Sequence, residues 1–191
     1  MLRSRTSRTL PWLVIVMILA TTAFLLHSQG RLWLGSCENL CLWSGDTWGS
    51  DNSQGLFGSF TFTHVLHGFL FCGLLALILP RLSALWRLVI AISLEAFWEV
   101  VENGEFIIRR YREWTVAHGY HGDTILNSLG DIFACGLGFV LALRLGFRRA
   151  MVVFVFTEAV LIVWIRDSLL LNVLMLIFPI DAIKHWQQAG S

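Results

Sequence analysis

Hydrophobic residues in this chain fall into long runs whose interruptions cluster near the run ends. A bilayer core of about 30 Å takes roughly 17–25 helical residues. Residues 10–26 carry no charge, and residues 60–79 carry only His64, His67 and Cys72 as titratable groups. Residues 85–102 are apolar apart from Arg87 near the start and Glu95, Glu99 and Glu102 towards the end. Residues 124–143 hold a single carboxylate, Asp131. Two shorter runs follow: 151–165 contains Glu158 and can be lengthened by snorkelling of Arg148 and Arg149, whereas 168–180 is short and carries Pro179. The pattern predicts an all-α, polytopic membrane helix bundle of about six transmembrane helices, a single integral membrane domain over 1–191. The alternative is five spans plus an interfacial or re-entrant C-terminal helix.

Composition agrees with that reading. Of 191 residues, 56% are hydrophobic and 14% charged, against about 45–50% and about 25% in ordinary soluble domains. The formal net charge of +1 offers nucleic acid no electrostatic footprint. The lipid bilayer is the partner that composition implies.

Basic residues set the orientation. With six alternating spans, Arg3, Arg5, Arg8, Arg81, Arg87, Arg144, Arg148, Arg149 and Lys184 share one side; Arg31, Arg109, Arg110, Arg112 and Arg166 share the other. Both termini are thereby expected in the cytoplasm. The loop 27–59 and the segment 103–122 are then outer, the latter containing an amphipathic surface helix around residues 107–114. Arg3, Arg5 and Arg8 before an apolar run also describe a signal peptide, but no Ala-x-Ala site follows promptly, so an uncleaved anchor is expected. Trp33, Trp43, Trp48 and Trp114 suit interfacial anchoring. Gly68, Gly73, Gly130, Gly136 and Gly138 suit close helix approach. Cys72 and Cys135 read as small hydrophobes, and Cys37 and Cys41 as outer-loop residues that an oxidising compartment would allow to bridge.

The polar exceptions converge. In an up-and-down bundle, the start of an even span and the end of an odd one share a membrane face. His64 and His67 begin the second span, Glu95, Glu99 and Glu102 end the third, and Asp123, Asn127 and Asp131 begin the fourth. Arg166 and Asp167 form the next turn on the same side. Residues three, four and seven apart share a helix face, so the three glutamates form one stripe and the two histidines are neighbours. Ionisable groups in hydrocarbon cost about 2.5–3.5 kcal/mol each on insertion scales, so they are expected to turn inward to a shared outer-face pocket.

Such a pocket is net negative and carries imidazoles, which suits a divalent metal on His64, His67, Glu99 and Asp123. It equally suits acid/base work by paired carboxylates, with Arg166 holding an anionic group such as a lipid phosphate. The leading expectation is a metal-binding protein or membrane-embedded enzyme acting on a lipid or envelope substrate. A small cation- or proton-coupled transporter is the second reading. The third is a structural or assembly protein whose glutamates salt-bridge to Arg109, Arg112 and Arg166 and whose asparagines, Asn127 and Asn172, bond across helices.

The run Thr63-His64-Val65-Leu66-His67-Gly68-Phe69 resembles uncharacterised protein family 0314, small multi-pass bacterial inner-membrane proteins found mainly in alphaproteobacteria. The likeness continues through Glu95-Ala96-Phe97-Trp98-Glu99 to Asn103, Arg110-Tyr111-Arg112, Gly122-Asp123-Thr124-Ile125-Leu126-Asn127-Ser128 with Asp131, Ile165-Arg166-Asp167, and Pro179 to Gln187. The outer loop between residues 30 and 48 departs from the family's Cys-containing loop. The resemblance implies a multi-pass plasma-membrane protein and no particular reaction.

Overall fold

A computed structural model of the chain describes residues 3–35, 42–45, 47–49, 51–115 and 117–189. The expected outer-loop cysteines, Cys37 and Cys41, lie outside those residues. Eight helices follow in order: α1 (Arg3–Ser28), α2 (Thr61–Ile78), α3 (Ala84–Glu102), α4 (Glu105–Trp114), α5 (Ile125–Leu145), α6 (Phe147–Ile165), α7 (Leu169–Ile177) and α8 (Asp181–Gln188). No strand occurs among the described residues, only an isolated bridge between Trp43 and Phe57. Helix starts follow local chemistry. The hydroxyls of Ser83, Thr124 and Ser168 accept from Trp86, Asn127 and Leu171 main-chain N–H groups, opening α3, α5 and α7.

Glycine sets the tightest packing. A Cβ on Gly68 of α2 would run into the Cys135 carbonyl of α5, and one on Gly138 of α5 into the Val65 carbonyl of α2. The two backbones therefore meet with nothing between them, and α2 and α5 form the most extensive helix pair. Gly130 approaches the Leu56 carbonyl of the α1–α2 loop in the same way. A Cβ on Gly136 would meet Ile92 only in ordinary contact, at 3.8 Å, and Gly73 faces open space, so the expectation of close approach does not hold there.

Burial is inverted relative to a protein in water. Glu95 and Glu99 are 0% exposed while Leu77 is 78% and Val163 84% exposed. Among the described residues three helices, α1, α2 and α5, are long and apolar enough to cross a membrane. A fourth crossing is reached if α6 and α7 count as one broken span. α3 has 19 residues, enough in length, but carries Arg87, Glu95, Glu99 and Glu102.

The C-terminal third departs from two separate spans. α7 has nine residues, about 14 Å of rise, and is bent by 71° from α6 at the Arg166–Ser168 break. Arg166 ends α6 in the left-handed conformation, φ 51°. Glu158 of α6 explains the bend: its carboxylate oxygens accept from the Leu169 and Leu170 N–H groups at 3.0 and 3.2 Å, holding the start of α7 against α6. An unanticipated last helix, α8, then docks beside α4, with Lys184 Nζ donating to the Glu113 carbonyl at 2.6 Å. Lys184 therefore lies at the same end of the bundle as Arg109–Arg112, not opposite them.

Substituting Gly68 by Ala is expected to lower stability by ~1–3 kcal/mol through overpacking. Gly73→Ala, in open space, should raise it by up to ~1 kcal/mol through helix propensity. Thermal unfolding in detergent measures both, and equal effects would show that the α2–α5 approach is not close.

Candidate functional site

The α2–α5 approach fixes which face of α2 meets α3. One turn before Gly68, His64 Nδ1 lies 2.5 Å from Glu95 Oε1, and His67 Nδ1 lies 3.0 and 2.9 Å from the two oxygens of the same carboxylate. The imidazoles stand edge to face, 5.3 Å between centroids. One turn along α3, Glu99 Oε1 sits 3.4 Å from His64 Nδ1, while Asp131 Oδ2 of α5 approaches His64 Nε2 at 3.8 Å. Two overlapping sets of metal-competent atoms result: His64, His67 and Glu95, and His64, Glu99 and Glu102, each within 4.8 Å. Both oxygens of Glu99 and Oδ1 of Asp131 are buried without a hydrogen-bond donor.

Asp123, expected among metal ligands, belongs to neither set. It is held by a polar knot that periodicity did not reveal. Asn103 donates to its Oδ2 at 2.9 Å and accepts from its main-chain N–H at 2.7 Å, and the Tyr120 hydroxyl donates to its Oδ1 at 3.0 Å. Asn103 also donates to the Glu99 carbonyl at 3.0 Å, tying the end of α3 to the start of α5. Burial pushes the Asp123 carboxyl above the ordinary aspartate range, outweighing these hydrogen bonds. Burial likewise raises the Tyr111 and Tyr120 phenols, helped by neighbouring carboxylates.

A cleft of about 60 Å³, several times the roughly 10–15 Å³ a single water needs, opens onto this cluster. His64, His67, Glu102, Asp123, Asp131 and Asp167 all line it. Asp167 accepts from the Ser168 N–H at 2.8 Å and faces Asn172, which in turn accepts from Tyr111 at 3.0 Å. Trp48, expected as an interfacial anchor, instead packs edge-on against Phe60 at 5.8 Å and walls the cleft. Trp98 and Tyr120 add further aromatic surface.

Four anticipated residues stay off the cleft lining: Glu95 and Glu99, which meet the histidines instead, and Asn127 and Arg166. Asn127 reaches across to the Leu56 carbonyl at 3.5 Å. Arg166 lies over the Trp186 ring and donates to the Trp186 carbonyl at 2.8 Å, so it is not poised to hold an anion in the cleft. Ionic glue also fails as described above: among the described residues no arginine pairs with Glu95, Glu99 or Glu102, and Arg109 pairs with Glu113 of its own helix at 3.8 Å. Asn103, Tyr111 and Tyr120 were not anticipated as site residues. Their one local signal is spacing: Asn103 follows Glu99 by one helical turn, and Tyr120 precedes Asp123 by three residues.

Fold and site together define an all-helical protein with apolar helices able to cross a membrane and a polar, histidine-bearing cluster buried among them. The family model described as "Protein of unknown function (DUF2585)" matches residues 26–189. A UPF0314 protein of Paracoccus denitrificans is 42% identical over 184 residues, covering 96% of this chain and 95% of that one. Those of Brucella anthropi and Sphingopyxis alaskensis are 41% and 42% identical, covering 92% and 94% of this chain and 89% and 95% of their own lengths. The chain belongs to the UPF0314 family. No solved structure matches it.

Because Asp123 binds its proton more tightly folded than unfolded, it makes the native state progressively less stable as pH rises from the ordinary aspartate range through its folded pKa, by up to about 1.4 kcal/mol per pH unit. The stability of wild type relative to Asp123→Asn should therefore fall as pH rises from 4 to 8 in detergent melts. A wild type that gains stability relative to the variant as pH rises would mean an ionised, stabilising carboxylate.

Proposed function

We propose that this chain is a multi-pass protein of the bacterial plasma membrane, and that its buried cluster is a divalent-metal site of a membrane-embedded enzyme acting on a lipid or envelope substrate. His64, His67, Glu95 and Glu99 are the donors. Glu95 takes the place expected for Asp123, which the Asn103–Tyr120 knot holds aside. The observation carrying the reading is Glu99: it is fully buried, beside His64, with neither oxygen given a hydrogen. A purely structural network would supply that donor, because an unpaired buried carboxylate is strongly destabilising. A metal bound there would supply Lewis acidity and an activated water. Glu102 and Asp131, beside it on the cleft wall, are the residues that would take or return a proton.

Five crossings, α1, α2, α3, α5 and α6, with α7 re-entrant and α8 beside α4, fit the observed contacts better than six. Moving Lys184 to the outer side leaves Arg3, Arg5, Arg8, Arg81, Arg87, Arg144, Arg148 and Arg149 inside. They face Arg31, Arg109, Arg110, Arg112, Arg166 and Lys184 outside. That bias still sets the N-terminus in the cytoplasm and the cluster at the outer face, with the C-terminal helix now outside too. The opposite half of the bundle weighs against a carrier. Below His67, Glu95 and Asp131, helices α2, α3 and α5 offer only Cys72, Cys135, and Arg87 and Arg144 near the far end as titratable groups, so no relay continues across.

Elemental analysis of detergent-purified protein tests the site. Wild type is expected to retain about one equivalent of metal per chain after exposure to zinc, manganese or iron and desalting, with His67→Ala and Glu99→Gln each losing it while still melting cooperatively. A wild type that retains no metal, or variants that retain as much, would overturn the assignment.

A further inference from the structure

The cleft is acidic beyond what a metal would neutralise. Glu102, Asp123, Asp131 and Asp167 line it, and no Lys or Arg among the described residues does. Four basic side chains at this end turn to main-chain carbonyls elsewhere, Arg31 to His121, Arg110 to Leu176 and Ile177, Arg166 to Trp186 and Lys184 to Glu113, while Arg109 pairs with Glu113 of its own helix and Arg112 does not line the cleft. Asp131 is only 5% exposed, lines the cleft, and leaves Oδ1 without a donor. It is a buried acceptor awaiting a hydrogen from something that enters. Trp48, Trp98 and Tyr120 supply aromatic surface to the same space, and aromatic faces attract cations.

We infer that the cleft binds a small positively charged amine, with Asp131 and Asp167 as its counter-charges and the aromatic wall against its alkyl body. An ammonium brings a hydrogen to Asp131 Oδ1, whereas a phosphate or carboxylate would meet four carboxyl groups and no guanidinium among the described lining residues. The inference shares its cleft with the metal reading but uses none of the four proposed metal donors. The amine can arrive free or as a lipid headgroup, and the chemistry of recognition is the same.

Tryptophan fluorescence of the full chain in detergent, titrated with ethanolamine, reads the site directly. Wild type should give a saturable response, with no response to inorganic phosphate. Asp131→Asn and Asp167→Asn should each weaken ethanolamine binding about tenfold, the scale of one charged hydrogen bond. Glu99→Gln, at a residue that does not line the cleft, should bind ethanolamine while losing metal. In nanodiscs, loss of the ethanolamine response in phosphatidylethanolamine but not in phosphatidylglycerol identifies a lipid headgroup; a response in both identifies a free amine. No saturable response by wild type, phosphate binding as tightly as ethanolamine, or unchanged affinity in both folded variants would overturn the inference. Amine binding by a protein that takes up no metal would sustain it and sink the metal reading instead. If Asp131→Asn fails to fold, Asp167→Asn decides.

Discussion

A carboxylate enclosed by apolar helices is tolerable only where something offers it hydrogens or positive charge, and the clamp of Glu95 between two imidazoles is where this bundle meets that requirement. The clamp is a product of packing. Gly68 and Gly138 let α2 and α5 touch backbone to backbone, which fixes the rotation of α2. Gly68 follows His67 directly, so a rotation set at the glycine is a rotation set at the histidines. Their Nδ1 atoms then face α3, and the opposite nitrogen of His64 faces Asp131 on α5. A bulkier residue at either glycine would part the helices and release the histidines from Glu95.

Helix ends govern the other wall. Glu158, buried in α6, takes the first two N–H groups of α7, an arrangement that both satisfies the carboxylate and suits the positive end of the helix dipole. At the other end, Arg110 donates to the Leu176 and Ile177 carbonyls, the complementary match for a helix C-terminus. α7 is thus held at both ends by charges from other helices, and its inner face brings Leu169, Asn172 and Val173 to the cleft. The same pairing keeps arginine from the described lining of the cleft: Arg31, Arg110 and Arg166 cap carbonyls, and the acidic groups inside keep their own company.

Face and depth were legible in the sequence, and partners were not. Three- and four-residue spacing put Glu95, Glu99 and Glu102 on one stripe and His64 beside His67, and alternation of the spans brought them to one end of the bundle. Periodicity carries no information about which neighbour a stripe meets, so Glu95 rather than Asp123 lies between the histidines. Guanidinium groups are the least readable of all. Their reach lets Arg166 leave the turn that bears it and settle on Trp186. Short apolar runs were also ambiguous, because 168–180 can read as a tilted span or a broken one until Glu158 is seen to hold the start of α7. Asn103 went unread because an asparagine ending a helix is ordinary locally. Its four partners, Glu99, Asp123 and Ser128 together with the Asp123 main chain, come together only in the fold.

Whether such a cluster is a device or merely glue turns on its unfilled valences. Glue would be complete: each buried oxygen would meet a hydrogen, as Asp123 does through Asn103 and Tyr120, and as Glu158 does through the start of α7. Around His64 the pattern changes. Glu99 and Asp131 flank the imidazole with three oxygens that no group among the described residues serves, and beside them lies open space lined by further carboxyl groups. Asn127 Oδ1 and Gln187 Oε1 are also buried without a partner, but each stands alone and off the cleft, whereas the three around His64 are grouped and Asp131 lines it. That the fold leaves these three open, on one side of a bundle whose other half is apolar, is the arrangement of a pocket built to be completed from outside.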